Sequence, residues 1–167
     1  MPPRNHSNWT KTPKVEYISS ECYNNHEIYL REQEDIFSKV WVPICHISEM
    51  RNEGDFRTTQ IAGQRVVAWN TGNVVKAYLG ENIYSVAGNM TSNETVGKEL
   101  HCEVYHGGMV WVTLDSNPTQ SVDEWTAGAF DCIADAIDTE EMEVFHYHKA
   151  VIDTNYKLWH DTNSEFY

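Results

Sequence analysis

The sequence predicts an α+β fold in which one amphipathic helix precedes an antiparallel β meander. Apolar residues recur at helical spacing between His26 and Trp41. Short β-prone runs, separated by turn residues, then follow one another from Trp41 to Leu114. The chain has 167 residues, of which 41% are hydrophobic and 12% aromatic, so it can bury a substantial core.

The predicted helix carries its apolar side chains on one stripe, with charged residues between them. The members of the stripe are Ile28, Tyr29, Ile36, Phe37 and Val40. This spacing is typical of a helix that packs one face on the body of a domain. Residues 1–18 are polar and contain prolines, so we expect a flexible arm ahead of the helix.

The meander is predicted from short β-prone runs and from the turn residues between them. A turn is expected at residues 51–55, and the Asn-Thr-Gly-Asn sequence at residues 70–73 predicts a hairpin. The predicted strands are residues 41–47, 56–61, 65–69, 74–79, 101–105 and 109–114.

Two further elements are predicted in the second half of the chain. Ser121 followed by Glu124 forms a capping-box pattern, which predicts an amphipathic helix from Ser121 to about Ile137. Residues 143–152 are β-prone and predict a strand. The last residues then predict the end of a strand that leads into a helix, with Asp161 and Glu165 four residues apart on one helical face.

Charge and cysteine content exclude several classes of protein. The net charge of −13 disfavours binding to nucleic acid or to an anionic membrane surface, since both favour a basic patch. No apolar run reaches the length of a membrane span, and the N-terminus lacks the apolar region of a signal peptide. The widely spaced cysteines are expected to be reduced thiols in a cytoplasmic protein. They are Cys22, Cys45, Cys102 and Cys132.

Several segments resemble one known family. The sequence IFSKVWVPICHISEM, residues 36–50, resembles the opening of the α-subunit of Rieske-type aromatic-ring-hydroxylating oxygenases, where Ile-Phe-X-X-Trp leads into Gly-His-X-Ser-Glu. Residues 53–58 are similar to the Gly-Asp-Tyr turn of that family, and residues 101–115 resemble the strand pair that opens its catalytic domain. The resemblance covers most of the chain from Tyr17 onward.

The resemblance implies a division into three parts. Residues 1–18 would be a flexible arm and residues 19–100 an antiparallel, Rieske-like β domain. Residues 101–167 would be the start of a helix-grip-like α+β catalytic domain.

The resemblance also implies a metal centre whose ligands this chain lacks. Family members place Cys-X-His-Arg-Gly and then Cys-X-X-His-Gly-Trp after the strand that ends at Leu79, and these ligands hold a 2Fe–2S cluster. Here Leu79 runs through Gly-Glu-Asn-Ile into residues 84–89, which resemble the hairpin that follows the second ligand pair. We therefore expect this Rieske-like domain to lack the cluster loops and the chain to hold no cofactor.

The end of the chain resembles the start of the family's mononuclear iron site. The family pattern is Asn-Trp-Lys, then Glu-Asn, then an acidic residue two positions before Tyr-His, whose His is the first Fe(II) ligand. The matching positions are Asn155, Asp161, Glu165 and Tyr167. In related enzymes the acidic residue matching Glu165 bridges two subunits. The other interpretation is that Glu165 is an exposed carboxylate on a frayed C-terminal turn. Because the chain stops at Tyr167, we expect no complete catalytic site.

Cys102 and His106 form one alternative metal-binding pair. Cys-X3-His is a spacing that zinc accepts, although one pair cannot close a tetrahedral site. The other interpretation is that Cys102 is a buried thiol and His106 a turn residue.

His146 and His148 form a second pair, on alternate positions of the predicted strand. They would share one face, as a metal chelate or as a solvated polar face. Phe145 and Tyr147 would then belong to a core face on the opposite side.

The resemblance implies two functions. The first is a truncated or degenerate oxygenase α-subunit. The family reaction is O2-dependent hydroxylation of an aromatic substrate, with electrons from a ferredoxin or reductase, and we expect this chain alone to be inactive. The second is a non-catalytic assembly or binding protein that uses the α-subunit oligomer surface, with α-subunits or a β-subunit as partners.

Overall fold

A computed structural model describes residues 19–80, 97–132, 134–137 and 141–164. The chain forms two compact units. One is Tyr29–Ala150, and the other combines Met1–Ile28 with Val151–Tyr167. The arm predicted for residues 1–18 lies outside the described residues.

Within the described residues, the larger unit is built on one sheet of six antiparallel strands. The strand order is β1-β6-β5-β4-β3-β2, so the meander returns β6 to the side of β1. The α+β class and the antiparallel arrangement are thereby confirmed. The strands are β1 Val42–His46, β2 Phe56–Ile61, β3 Gln64–Asn70, β4 Val75–Leu79, β5 Glu99–Tyr105 and β6 Met109–Thr113.

The core is densest along β3. Val66 and Val67 are consecutive and both fully buried, so this strand is covered on both faces. Ile61 of β2 and Ile44 of β1 contribute to the same apolar cluster as Val66, although they lie on opposite edge strands. The sheet therefore curves strongly enough to bring both edges around one core.

The helices are short. They are α1 Glu21–Asn24, α2 His26–Glu32, α3 Val122–Thr126, α4 Ala134–Ile137 and α5 Tyr156–Ser164. The N-terminal helix predicted from residue 26 is present, and it continues as a π-helical turn over Gln33–Phe37. Neither segment contains a buried residue, so the predicted stripe is at most half-buried. Trp41 anchors the following chain instead, because it is buried and its indole Nε1 donates to the carbonyl of Gln120 at 3.0 Å.

The prediction of one helix from Ser121 to Ile137 was wrong about its length. The capping box is confirmed, since Ser121 Oγ accepts from Glu124 N at 3.2 Å and Ser121 N donates to Glu124 Oε2 at 2.9 Å. The helix ends at Thr126, because Ala127 takes a left-handed conformation with φ +50°. Gly128 follows at φ +74°, a conformation that glycine adopts without strain.

The strand predicted for residues 143–152 was also wrong. This stretch has no regular secondary structure, and the predicted core residues Phe145 and Tyr147 are 98% and 68% exposed. A β-prone sequence becomes a strand only beside a partner strand, and within the described ranges no strand pairs with it. The described helices also fall short of the length and hydrophobicity that a bilayer crossing requires.

Candidate functional site

The first candidate site is the junction between β4 and β5, where the family resemblance places the cluster loops. The two strands pair directly, with Ala77 opposite Leu100 and Tyr78 opposite Glu99. Leu79 N donates to the carbonyl of Lys98 at 2.8 Å, which continues the pairing to the ends of both strands. The sheet is therefore continuous on both sides of residues 81–96, which lie outside the described ranges.

Gly97 makes this pairing possible. A Cβ atom at this position would overlap the main-chain carbonyl oxygen of Leu79, which belongs to a strand and cannot easily move. Gly80 N also donates to the carbonyl of Arg65 at 3.0 Å, so the end of β4 is fixed to β3 as well. The junction is a close approach of two main chains and leaves no space for a side chain at Gly97.

The residues at this junction do not fit a 2Fe–2S cluster. A Rieske cluster requires two cysteine thiolates and two histidine imidazoles. The sequence from Leu79 to Leu100 contains neither cysteine nor histidine. Within the described ranges, no group of three or more His, Cys, Asp or Glu side chains could hold a metal ion. The chain thus offers the cluster no ligands at the position where the family binds it.

The cysteine of the predicted Cys102–His106 pair is partly buried and packs against the core of the sheet. Cys102 packs in one apolar cluster with Cys45. Burial raises the pKa of each thiol to about 12, so both stay protonated at neutral pH. Because a thiolate is the form that ligates metals, neither is a ready ligand.

His106 has different surroundings from Cys102. It occupies the turn after β5 with φ +29°, and its ring stacks on Phe130 at a centroid distance of 5.4 Å. The structure therefore places the two predicted ligands in separate clusters. His146 and His148 are both exposed in the irregular stretch, which lacks the strand geometry on which their predicted shared face depended.

A cleft of about 810 Å³ lies at the end of the sheet opposite the β4–β5 junction. Its wall includes His46, whose ring is buried although imidazole is polar. Nδ1 of His46 accepts from Ser48 N at 3.1 Å, so the proton resides on Nε2, which donates to the carbonyl of Gly107. His46 N donates to Glu49 Oε2 at 2.9 Å. The histidine thus ties the end of β1 to the β5–β6 turn.

Three further polar side chains around this cleft also have partners within the chain. Ser48 Oγ accepts from Val144 N at 2.9 Å, and Arg51 forms an ion pair with Glu143. A Cβ atom at Gly108 would lie 2.7 Å from His46 Nε2, so the glycine permits the histidine contact. The arrangement supports a structural role for His46, which no local pattern in the sequence indicates.

The smaller unit contains the predicted active-site positions Asn155 and Asp161. Asp161, on α5, accepts a hydrogen bond at Oδ2 from the Tyr23 hydroxyl at 2.6 Å. Asn155 precedes the helix and donates from Nδ2 to the Tyr23 carbonyl at 2.9 Å. The positions of Glu165 and Tyr167 lie outside the described residues. Tyr23 was not predictable from the sequence, since no motif marks it and 138 positions separate it from Asp161.

Comparison with curated proteins identified related sequences along the whole chain. The chain is 39% identical to the methanesulfonate monooxygenase hydroxylase α-subunit of Methylosulfonomonas methylovora, with 100% of this chain and 53% of the relative covered. It is 30% identical to the 2-aminobenzenesulfonate 2,3-dioxygenase α-subunit of an Alcaligenes species, with 90% and 48% covered. The chain therefore spans about half the length of these relatives. No family model matches the chain.

The first of these matches includes residues that this chain does not have. It extends over 219 aligned positions, whereas the chain has 167 residues and is matched along its entire length. The relative therefore carries additional segments inside the matched region.

Comparison with solved structures supports the fold. The quaternary ammonium Rieske monooxygenase CntA superposes with a TM-score of 0.59 at 19% identity, covering 72% of this chain and 44% of CntA. A variant of naphthalene 1,2-dioxygenase superposes with a TM-score of 0.54 at 18% identity, covering 64% and 33%. The two structures share the architecture described above, and their sequence identity is too low to support more than that.

Proposed function

This chain is a homologue of Rieske oxygenase α-subunits, and on that premise we propose that it is a scaffold portion of such a subunit that is inactive by itself. The family uses a 2Fe–2S cluster and a mononuclear Fe(II). Residues 19–100 would correspond to the cluster domain and residues 101–167 to the start of the catalytic domain. In this proposal the chain retains the sheet of the α-subunit without its electron-transfer centre.

The observation that carries the proposal is the β4–β5 junction. The strands on both sides of the family's cluster loops are present and paired, while the sequence between them holds no cysteine or histidine. The extra aligned positions in the methanesulfonate monooxygenase relative support the same interpretation. Without a cluster, electrons from a reductase would have no entry point, so we assign no substrate to this chain.

Iron content tests the proposal directly. The 167-residue chain is produced in iron-replete, anaerobic culture, alongside the methanesulfonate monooxygenase α-subunit as a positive control. We expect the control to show the visible and EPR signals of a Rieske centre and the chain to be colourless. About two irons per chain with a Rieske EPR signal would contradict the proposal.

A second candidate function is a non-catalytic assembly or binding protein. The exposure of Phe145 and Tyr147 favours it, since large apolar side chains in a contiguous exposed stretch mark interaction surfaces. Partners would be other α-subunits or a β-subunit. Light scattering and co-purification with a full-length relative are the tests. A monomer that binds neither subunit would contradict this function.

We also propose a cytoplasmic location. The four cysteines, all of which are described, are free thiols, as expected for a reducing compartment. Recovery of the native protein in a periplasmic fraction would contradict this proposal.

A further inference from the structure

Two of the predicted active-site residues contact the same tyrosine. The Tyr23 hydroxyl donates to Asp161 Oδ2 at 2.6 Å, and the Tyr23 carbonyl accepts from Asn155 Nδ2 at 2.9 Å. Tyr23 lies on α1, whereas Asn155 and Asp161 lie just before and within α5. All three residues belong to the smaller unit, which is formed from both ends of the chain.

Asn155 uses its two amide atoms for different purposes. Its Oδ1 accepts from Lys157 N at 3.0 Å, which caps the first turn of α5. Its Nδ2 is directed instead to the Tyr23 carbonyl. The start of the helix is therefore capped and attached to α1 by a single side chain.

Asp161 provides the second attachment, six residues farther along the chain. A phenol that donates to a carboxylate forms a charge-assisted hydrogen bond, which is stronger than one between neutral groups. This bond and the proximity of Asp161 raise the pKa of the Tyr23 hydroxyl, because a negative phenolate beside the carboxylate is unfavourable.

We infer that Tyr23 is a positioning residue, which fixes the start and the middle of α5 through its carbonyl and its hydroxyl. Asn155 and Asp161 are then the helix side of a clasp, defined here as the two hydrogen bonds to Tyr23. This inference goes beyond the proposed function, because the clasp acts on the helix that carries the family-matched positions. Its test requires neither iron nor substrate, so either conclusion can fail without the other.

Hydrogen exchange measured on the full chain tests the clasp. The variants are Tyr23→Phe, Asp161→Asn and the double variant, with Tyr147→Phe as control because that tyrosine is 68% exposed. We expect each single variant to accelerate exchange of the α5 amides by about three- to tenfold, with β3 unchanged. The double variant should be no faster than Tyr23→Phe alone, because Tyr23→Phe already removes the hydroxyl from which the side chain at position 161 accepts.

Two further variants separate the clasp from general effects on the helix. Asn155→Asp keeps a capping oxygen but loses the donor to Tyr23, so it should accelerate exchange although the cap remains. Asp161→Glu retains a carboxylate and should restore most of the protection that Asp161→Asn loses. Unchanged exchange in Tyr23→Phe, or purely additive effects in the double variant, would overturn the inference.

A further measurement uses the unsubstituted chain and therefore does not depend on whether the variants fold. Carbon-13 NMR of labelled tyrosines reports the ionisation of Tyr23, whose charged surroundings are Asp161 and, more weakly, Cys22. We expect Tyr23 to titrate above the ordinary value for tyrosine. An ordinary titration would show that the hydroxyl does not engage Asp161 and would overturn the inference.

Discussion

Apolar side chains are buried in the sheet but exposed in the stretch of residues 141–152. Val66 and Val67 of β3 are fully buried, whereas Phe145 and Val151 are 98% and 97% exposed. Both segments are β-prone, but β3 has β2 and β4 on its two sides and the stretch has no paired strand among the described residues. Hydrophobicity therefore decides which residues could be core, while available partner strands decide which residues become core.

Paired charge substitutions should show the largest difference between the two regions. Val67→Asp places a carboxylate in a fully buried position, and we expect it to cost more than about 4 kcal/mol of unfolding free energy or to prevent folding. Phe145→Asp should change stability by less than about 0.5 kcal/mol and should raise solubility. Urea denaturation followed by circular dichroism measures the first effect, and precipitation assays measure the second. Equal destabilisation by both changes would show that the two positions do not differ in burial.

Substitution of Gly97 tests the junction between β4 and β5 that completes the sheet. Gly97→Ala forces a Cβ atom into the Leu79 carbonyl, and we expect a loss of more than about 2 kcal/mol. Gly63→Ala is the matched control, since its site has open space and costs only about 1 kcal/mol for its φ of +73°. The two are compared by thermal and urea unfolding. A Gly97→Ala chain as stable as the control would show that β4 and β5 do not approach closely.

His46 tests the end of the sheet that faces the cleft. His46→Gln removes the buried ring that joins Ser48 to the Gly107 carbonyl, and we expect a loss of about 2 kcal/mol. The control is His101→Gln, because His101 is exposed and its ring contact with the Ser116 carbonyl is long at 3.3 Å. A control loss equal to that of His46→Gln would contradict the structural role.

The cysteines provide the mildest probe. At pH 8 an alkylating reagent should modify exposed Cys132 rapidly and leave Cys45 and Cys102 unmodified in the native chain, as peptide mass spectrometry would show. In the folded chain the pKa of each of these two thiols is raised from the ordinary value of 9.0 to about 12. Their contribution to stability should therefore be complete below pH 9 and decline as pH rises toward 12. Rapid native modification of Cys45 would show that the core opens.

Local signals in the sequence were sufficient to predict most strands of the sheet. The bounds predicted for β2 are those observed, and the hairpin at residues 70–73 connects β3 to β4 as expected. The capping box at Ser121 was equally readable, because both partners lie within four residues. That helix ends where Ala127 and Gly128 take positive φ angles. Gly128 could have indicated this end, but the hydrophobic periodicity continued past it and favoured a longer helix.

The candidate site was less predictable because its contacts span long separations. The bond from His46 to Gly107 crosses 61 positions, and the bond from Tyr23 to Asp161 crosses 138. Periodicity and local motifs carry no information about such pairs. The resemblance identified Asn155 and Asp161 as positions of interest, but only the folded chain reveals that both contact Tyr23.

The direct pairing of β4 with β5 has an evolutionary consequence. Because β4 pairs directly with β5, the sheet fixes both ends of any segment inserted between the two strands, and doubling the length of a flexible loop costs only about 0.6 kcal/mol. Metal-binding segments can therefore be gained or lost at this point while the inherited architecture persists. In a family built on such a sheet, the fold does not require the iron-binding segments.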